Sequence, residues 1–65
     1  MLIGEALKKA RENKGLTQKQ LAEMLYVDGS LVSKWEKDER QISLTTFVMI
    51  MDILEVDLDY FKETW

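Results

Sequence analysis

Residues 17–35, TQKQLAEMLYVDGSLVSKW, constrain this chain more than any other stretch. Thr17 offers a hydroxyl N-cap, and Gln20 three positions later completes a capping-box pattern. On a wheel of about 100° per residue, Leu21, Ala22, Met24 and Leu25 share one face, and Lys19, Gln20 and Glu23 share the other. Asp28 then supplies a second N-cap after a tight turn. Beyond it Leu31, Val32 and Trp35 point one way, while Gly29, Ser30, Ser33, Lys34 and Lys37 point the other. The pattern predicts two short helices, the second with an apolar base and an outer face of small, hydrogen-bonding and basic side chains. Such a face can come close to a nucleic-acid groove. A helix used only as scaffold more often carries Glu and long polar residues there.

The order T-Q-x-x-L-A, five residues, Asp28, then S-x-V-S-K-W-E resembles the helix-turn-helix of the Cro/CI-type (lambda-repressor-like) DNA-binding family. The resemblance runs from residue 3 to residue 61 and rests on the joint spacing rather than on any single position. Gln18 matches the glutamine that opens the first motif helix. Ala22 matches the small residue that lets the two helices cross closely, and Val32 the aliphatic residue that locks the second. The resemblance implies an all-α fold of five short helices. It also implies a sequence-specific, double-stranded-DNA-binding transcriptional regulator, repressor-like, whose recognition helix at about 28–37 lies in the major groove. Tyr26, Asp38 and Glu55 depart from the family, standing where it often has glycine, and Ile42 replaces the usual proline. A tyrosine at positive φ is costly. Either the turn at 25–28 has another geometry, or the strain is borne while the ring packs somewhere useful.

The 65 residues form one domain over 1–65, with the motif at about 17–36. A chain this short buries only about 60% of its unfolded surface, so its stability margin is thin. It contains no cysteine and no histidine, which excludes disulfides and thiolate metal sites and removes the commonest general base. No Asp/Glu cluster has calcium-loop spacing. No phosphate loop or paired-carboxylate pocket is visible either, so an enzyme is not expected, and neither is a cofactor or small-molecule ligand. The longest apolar run, residues 47–51, is far too short for a membrane span. The expectation is a cytoplasmic protein with no membrane partner.

The net charge of −3 is unfavourable for a DNA binder, but it is unevenly placed. Residues 1–41 carry eight Lys and Arg against seven Asp and Glu, a net of +1, whereas residues 42–65 carry a net of −4. Phosphate responds to the local field more than to the global sum. A protein-interaction module on the same fold, antitoxin-like or adaptor, is the alternative reading. The acidic balance favours it slightly; the Gly/Ser/Lys face favours DNA.

In chain order, the spacing predicts a first helix over 3–14, with Ile3, Ala6, Leu7 and Ala10 inward and Lys8, Lys9, Arg11, Glu12 and Lys14 wet. Gly15 suits the left-handed position after it, and Leu16 is placed to staple onto Leu21. Trp35 reads as core rather than as a stacking residue, and Glu36 as a support for the following loop. Ser43 caps a fourth helix over 44–54, whose expected core face is Leu44, Phe47, Val48, Met51 and Leu54, with Ile50 at the edge. Asp57 caps a last helix over 58–63, with Leu58 and Phe61 inward.

The first turns of a recognition helix meet base edges, which makes Gly29, Ser30, Ser33 and Lys34 the base-contacting candidates. Lys34 can donate to guanine, and Gly29 can admit a thymine methyl. Thr17, Gln18, Lys19, Lys37 and Arg40 are the phosphate candidates, Thr17 more a cap than a contact. Met49 and Ile53 are left over on the far side of the fourth helix. With Tyr60 and Trp65 they form the expected homodimer interface.

Overall fold

Short polar side chains start four of the five helices. The computed structural model describes residues 3–62. It places α1 at Gly4–Asn13, α2 at Gln18–Leu25, α3 at Gly29–Glu36, α4 at Leu44–Leu54 and α5 at Leu58–Phe61, with no strand among the described residues. Trp65, and the expected end of α5 at Glu63, lie outside them. Thr17 Oγ1 accepts from the Gln20 amide at 3.0 Å and Gln20 Oε1 accepts from the Thr17 amide at 2.8 Å, so the capping box forms in both directions. Asp28 accepts from Ser30 N, Ser43 from Thr46 N and Asp57 from Tyr60 N. Ile3, before α1, provides no side-chain cap. Asp38 does so from a distance, its Oδ1 accepting from Gly4 N at 3.0 Å across 34 residues.

Helices this short are marginal alone in water, so packing holds them. Leu7, Ala10, Leu21, Ala22, Leu25, Val32, Trp35, Ile50 and Leu54 form one buried cluster. Trp35 is only 4% exposed, a core residue as its spacing predicts. Leu16 packs against the same cluster. Phe61 is fully buried between Phe47 and Tyr60, with ring centroids at 4.9 and 5.0 Å. Gly4 sits where α1 meets the end of α3. A Cβ there would lie 2.3 Å from the Glu36 carbonyl oxygen, so only glycine permits the approach.

The turns settle the question raised by the missing glycines. Tyr26, Asp38 and Glu55 all adopt left-handed backbone, with φ of 59°, 58° and 57°. The turn at Tyr26 is therefore left-handed and carries the strain of a side chain there. The Tyr26 ring is 93% exposed, so it does not repay that strain by packing.

Several inward assignments are corrected. Met24 is exposed, because the inner line of α2 runs through Leu21, Ala22 and Leu25 and Met24 lies roughly 100° off it. Arg11, expected on the wet side, is buried as the partner of Glu36. On α4 the inward face is rotated. Ile50 and Leu54 are buried and Phe47, Met51 and Ile53 half-buried, whereas Leu44 is 78% and Val48 52% exposed. Leu58 is also exposed. An almost wholly apolar helix gives periodicity no face to choose, and the packing of α4 against α2 chooses it instead.

Candidate nucleic-acid interface

Three helices meet at one carboxylate. Arg11, on the inner side of α1 one turn after Leu7, donates from Nε to Glu36 Oε2 at 2.6 Å and from Nη2 to Glu36 Oε1 at 3.1 Å. Its Nη1 reaches the Leu16 carbonyl at 2.7 Å, just before the Thr17 cap. Gln18, the first residue of α2, donates from Nε2 to Glu36 Oε1 at 2.9 Å. The hydrogen bond to Glu36 raises the Arg11 pKa, against the opposing effect of burial, so the guanidinium stays charged. This network ties the entry of α2 to the exit of α3. Glu36 therefore supports the helix pair itself rather than the following loop. No spacing rule links residues 25 apart. The available signal was Arg11 falling on the apolar side of α1, beside Ala10 and four after Leu7.

With that side of α3 fixed by Val32, Trp35 and Glu36, the opposite side is open. Ser30 and Lys34 are exposed, Gly29 and Ser33 half-buried, and all four fall on one face. Gly29 approaches α2 closely: a Cβ on it would meet the Lys19 Cα at 3.9 Å, an ordinary contact. The fold therefore does not require glycine there. Asp28 accepts from the Ser30 amide, and this, followed by the Ser30 hydroxyl and then the charge of Lys34, holds its carboxyl below the ordinary aspartate value.

The phosphate candidates are spread more widely. Thr17 is exposed, with its hydroxyl engaged as a cap. Lys19 lies on the exposed side of α2 next to Gly29. Lys37 is the exposed C-cap of α3. Arg40 lies in the α3–α4 loop, beside a groove lined by Ile3, Trp35, Ile42, Leu44 and Phe47. Among the described residues none of Lys19, Lys34, Lys37 and Arg40 is in a salt bridge, whereas Lys14 pairs with Glu55 and Lys62 with Asp59. No three metal-ligating side chains come together among the described residues. No helix there is long and apolar enough to cross a membrane.

The expected interface residues separate. Met49 is exposed, but Ile53 and Tyr60 pack against the core. The Tyr60 hydroxyl donates to the Ala6 carbonyl at 3.0 Å. On α4 and α5 the exposed large apolar residues are Leu44, Val48, Met49 and Leu58.

Two capped helices, crossed closely and braced by α1 and α4, define a helix-turn-helix domain. The helix-turn-helix family model HTH_3 matches residues 7–61, and the chain belongs to this family, the Cro/CI-type helix-turn-helix proteins. It is 35% identical over 60 residues to the HTH-type transcriptional regulator ImmR of Bacillus subtilis, covering 92% of this chain and 47% of that protein. It is 37% identical over 59 residues to the HTH-type transcriptional activator BcrR of Enterococcus faecalis, covering 91% and 29%. The chain thus spans about half the length, or less, of these curated relatives. Among solved structures it resembles the wild-type restriction-modification controller protein C.Esp1396I, with a TM-score of 0.77 and 32% identity over 95% of this chain and 82% of that one.

Proposed function

We propose that this domain binds double-stranded DNA in a sequence-specific manner and regulates transcription in a repressor-like way, with α3 in the major groove. One observation carries the reading: exposed Ser30 and Lys34, with half-buried Gly29 and Ser33, share one face of a helix whose other side is fixed by buried Val32, Trp35 and Glu36. A rigid helix with small residues toward the groove brings donors within reach of base edges. Lys34 and Ser30 read bases, while Gln18, Lys19, Lys37 and Arg40 hold phosphates. The relatives named as a transcriptional regulator and as a transcriptional activator support regulation of transcription; the repressor-like sign rests on the resemblance alone.

The domain acts as a homodimer in this reading. Its longest extent is 27 Å, less than the roughly 34 Å between successive half-sites on one DNA face, so a second half-site requires a second copy. Leu44, Val48 and Leu58, with Met49 at the margin, supply the apolar surface for it.

The test is selection of duplexes from a random pool, followed by titration with salt. Affinity for the selected duplex is expected to fall steeply with salt, in proportion to the phosphates neutralised. Lys34→Ala is expected to weaken specific binding by about 1–3 kcal/mol and to relax preference at one base position. An equal loss on all duplexes would make Lys34 a phosphate contact. No selected sequence and no salt response would leave the protein-interaction module as the function.

A further inference from the structure

Glu36 closes α3, yet its carboxylate also reaches the residue that opens α2. That contact fixes the direction of the Gln18 amide. An amide turned the other way would set its oxygen against a carboxylate oxygen, so Nε2 must face Glu36. A primary amide has two hydrogens. Glu36 takes one, and the other has no partner among the described residues. Gln18 is only half-buried at the start of α2, so the residue keeps part of its surface open to solvent.

We infer that Glu36 is a positioning residue for DNA binding: it holds the Gln18 amide so that the second N–H is free to donate to a DNA phosphate. The inference rests on the DNA reading above. Arg11 keeps the carboxylate in place by a two-pronged contact and ties the same unit to the Leu16 carbonyl. Because Glu36 belongs to α3, the phosphate contact and the base-reading face move as one body. A small domain gains from this, since a long glutamine side chain otherwise loses rotamer freedom when it binds.

A thermodynamic cycle in the full chain tests it. Removing one partner of a buried ion pair damages a fold, whereas replacing both by apolar residues of similar volume is often neutral. Arg11→Met with Glu36→Leu therefore removes the carboxylate while keeping a packed centre. Gln18→Ala is expected to lower affinity for the selected duplex about tenfold in the parent, the worth of a hydrogen bond to a charged group. Unrelated duplexes should lose as much, and the salt slope should stay unchanged because glutamine neutralises no phosphate. In the double-variant background the same substitution is expected to cost less than about twofold, the mark of coupled residues. An equal factor in both backgrounds would make Glu36 purely structural and overturn the inference, as would a parent that binds DNA without needing Gln18. A parent that binds no duplex is a different failure, that of the DNA reading itself.

A second measurement needs no change to the pair. In the free parent, one Gln18 side-chain amide proton is expected to resist exchange relative to those of exposed Gln41, and the other to shift as duplex is added. Equal, rapid exchange of both Gln18 protons would overturn the inference.

Discussion

Tyr26 carries strain with no packing to offset it. Its φ of 59° places a side chain in left-handed backbone, and its ring stands in solvent. Left-handed backbone costs an ordinary residue about 1–2 kcal/mol, and glycine returns part of that through its freer unfolded chain. Tyr26→Gly is therefore expected to raise stability by about 1 kcal/mol, read as a higher denaturation midpoint at unchanged m-value. A lower midpoint would mean that the ring contributes something its exposure hides. Gly4 presents the opposite case. Its φ is unremarkable, but a Cβ would press into the backbone of Trp35 and Glu36. Neither helix can yield by rotating a side chain, so Gly4→Ala is expected to cost about 1–3 kcal/mol as overpacking. If it melts with the parent, α1 can slide away from α3 more freely than the geometry implies.

Among the elements, α3 is started by a single charged cap, Asp28. Asp28 accepts from Ser30 N, and that bond is the first cause of its lowered pKa. A carboxyl with a folded pKa below its unfolded one stabilises the fold above the unfolded value, about pH 4, and loses that contribution as pH falls through the lower folded value. The first turn of α3 is accordingly expected to lose protection of the Ser30 amide in that acid window. Asp28→Asn keeps a good cap without the charge, so it should retain the helix and flatten this part of the acid response. An unchanged acid profile in the variant would place the titration elsewhere, with Glu55 the next candidate, since its pKa is lowered by its hydrogen bond to Lys14.

At the scale of the molecule, charge and apolar surface divide the domain. The open α3 face and its lysines belong to the half with net charge +1, and the acidic surplus belongs to residues 42–65. The same C-terminal region presents Leu44, Val48 and Leu58. Leu44→Lys with Val48→Lys is expected to leave a folded monomer, since exposed positions seldom change stability by more than about 0.5 kcal/mol. Its binding to a two-half-site duplex should be weaker and non-cooperative. Sedimentation with and without DNA decides it. A parent already monomeric at high micromolar concentration, together with a variant that binds as well, would remove the proposed dimer.

The sequence by itself determined the helices and their order. Thr17, Asp28, Ser43 and Asp57 mark four starts through hydrogen bonds made within three residues, a range that local pattern reports directly. The motif spacing likewise determined the family and the outer face of α3, because Val32 and Trp35 can only turn inward if Ser30 and Lys34 turn out. Tertiary structure alone decided three things. It buried Arg11 with Glu36 and Gln18, since a carboxylate serving three helices depends on their crossing and not on any local period. It turned α4 onto Ile50 and Leu54, since a helix apolar nearly all round has no face until a neighbour covers one. And it capped α1 with Asp38, whose left-handed turn carries its carboxylate to Gly4 across 34 residues of chain.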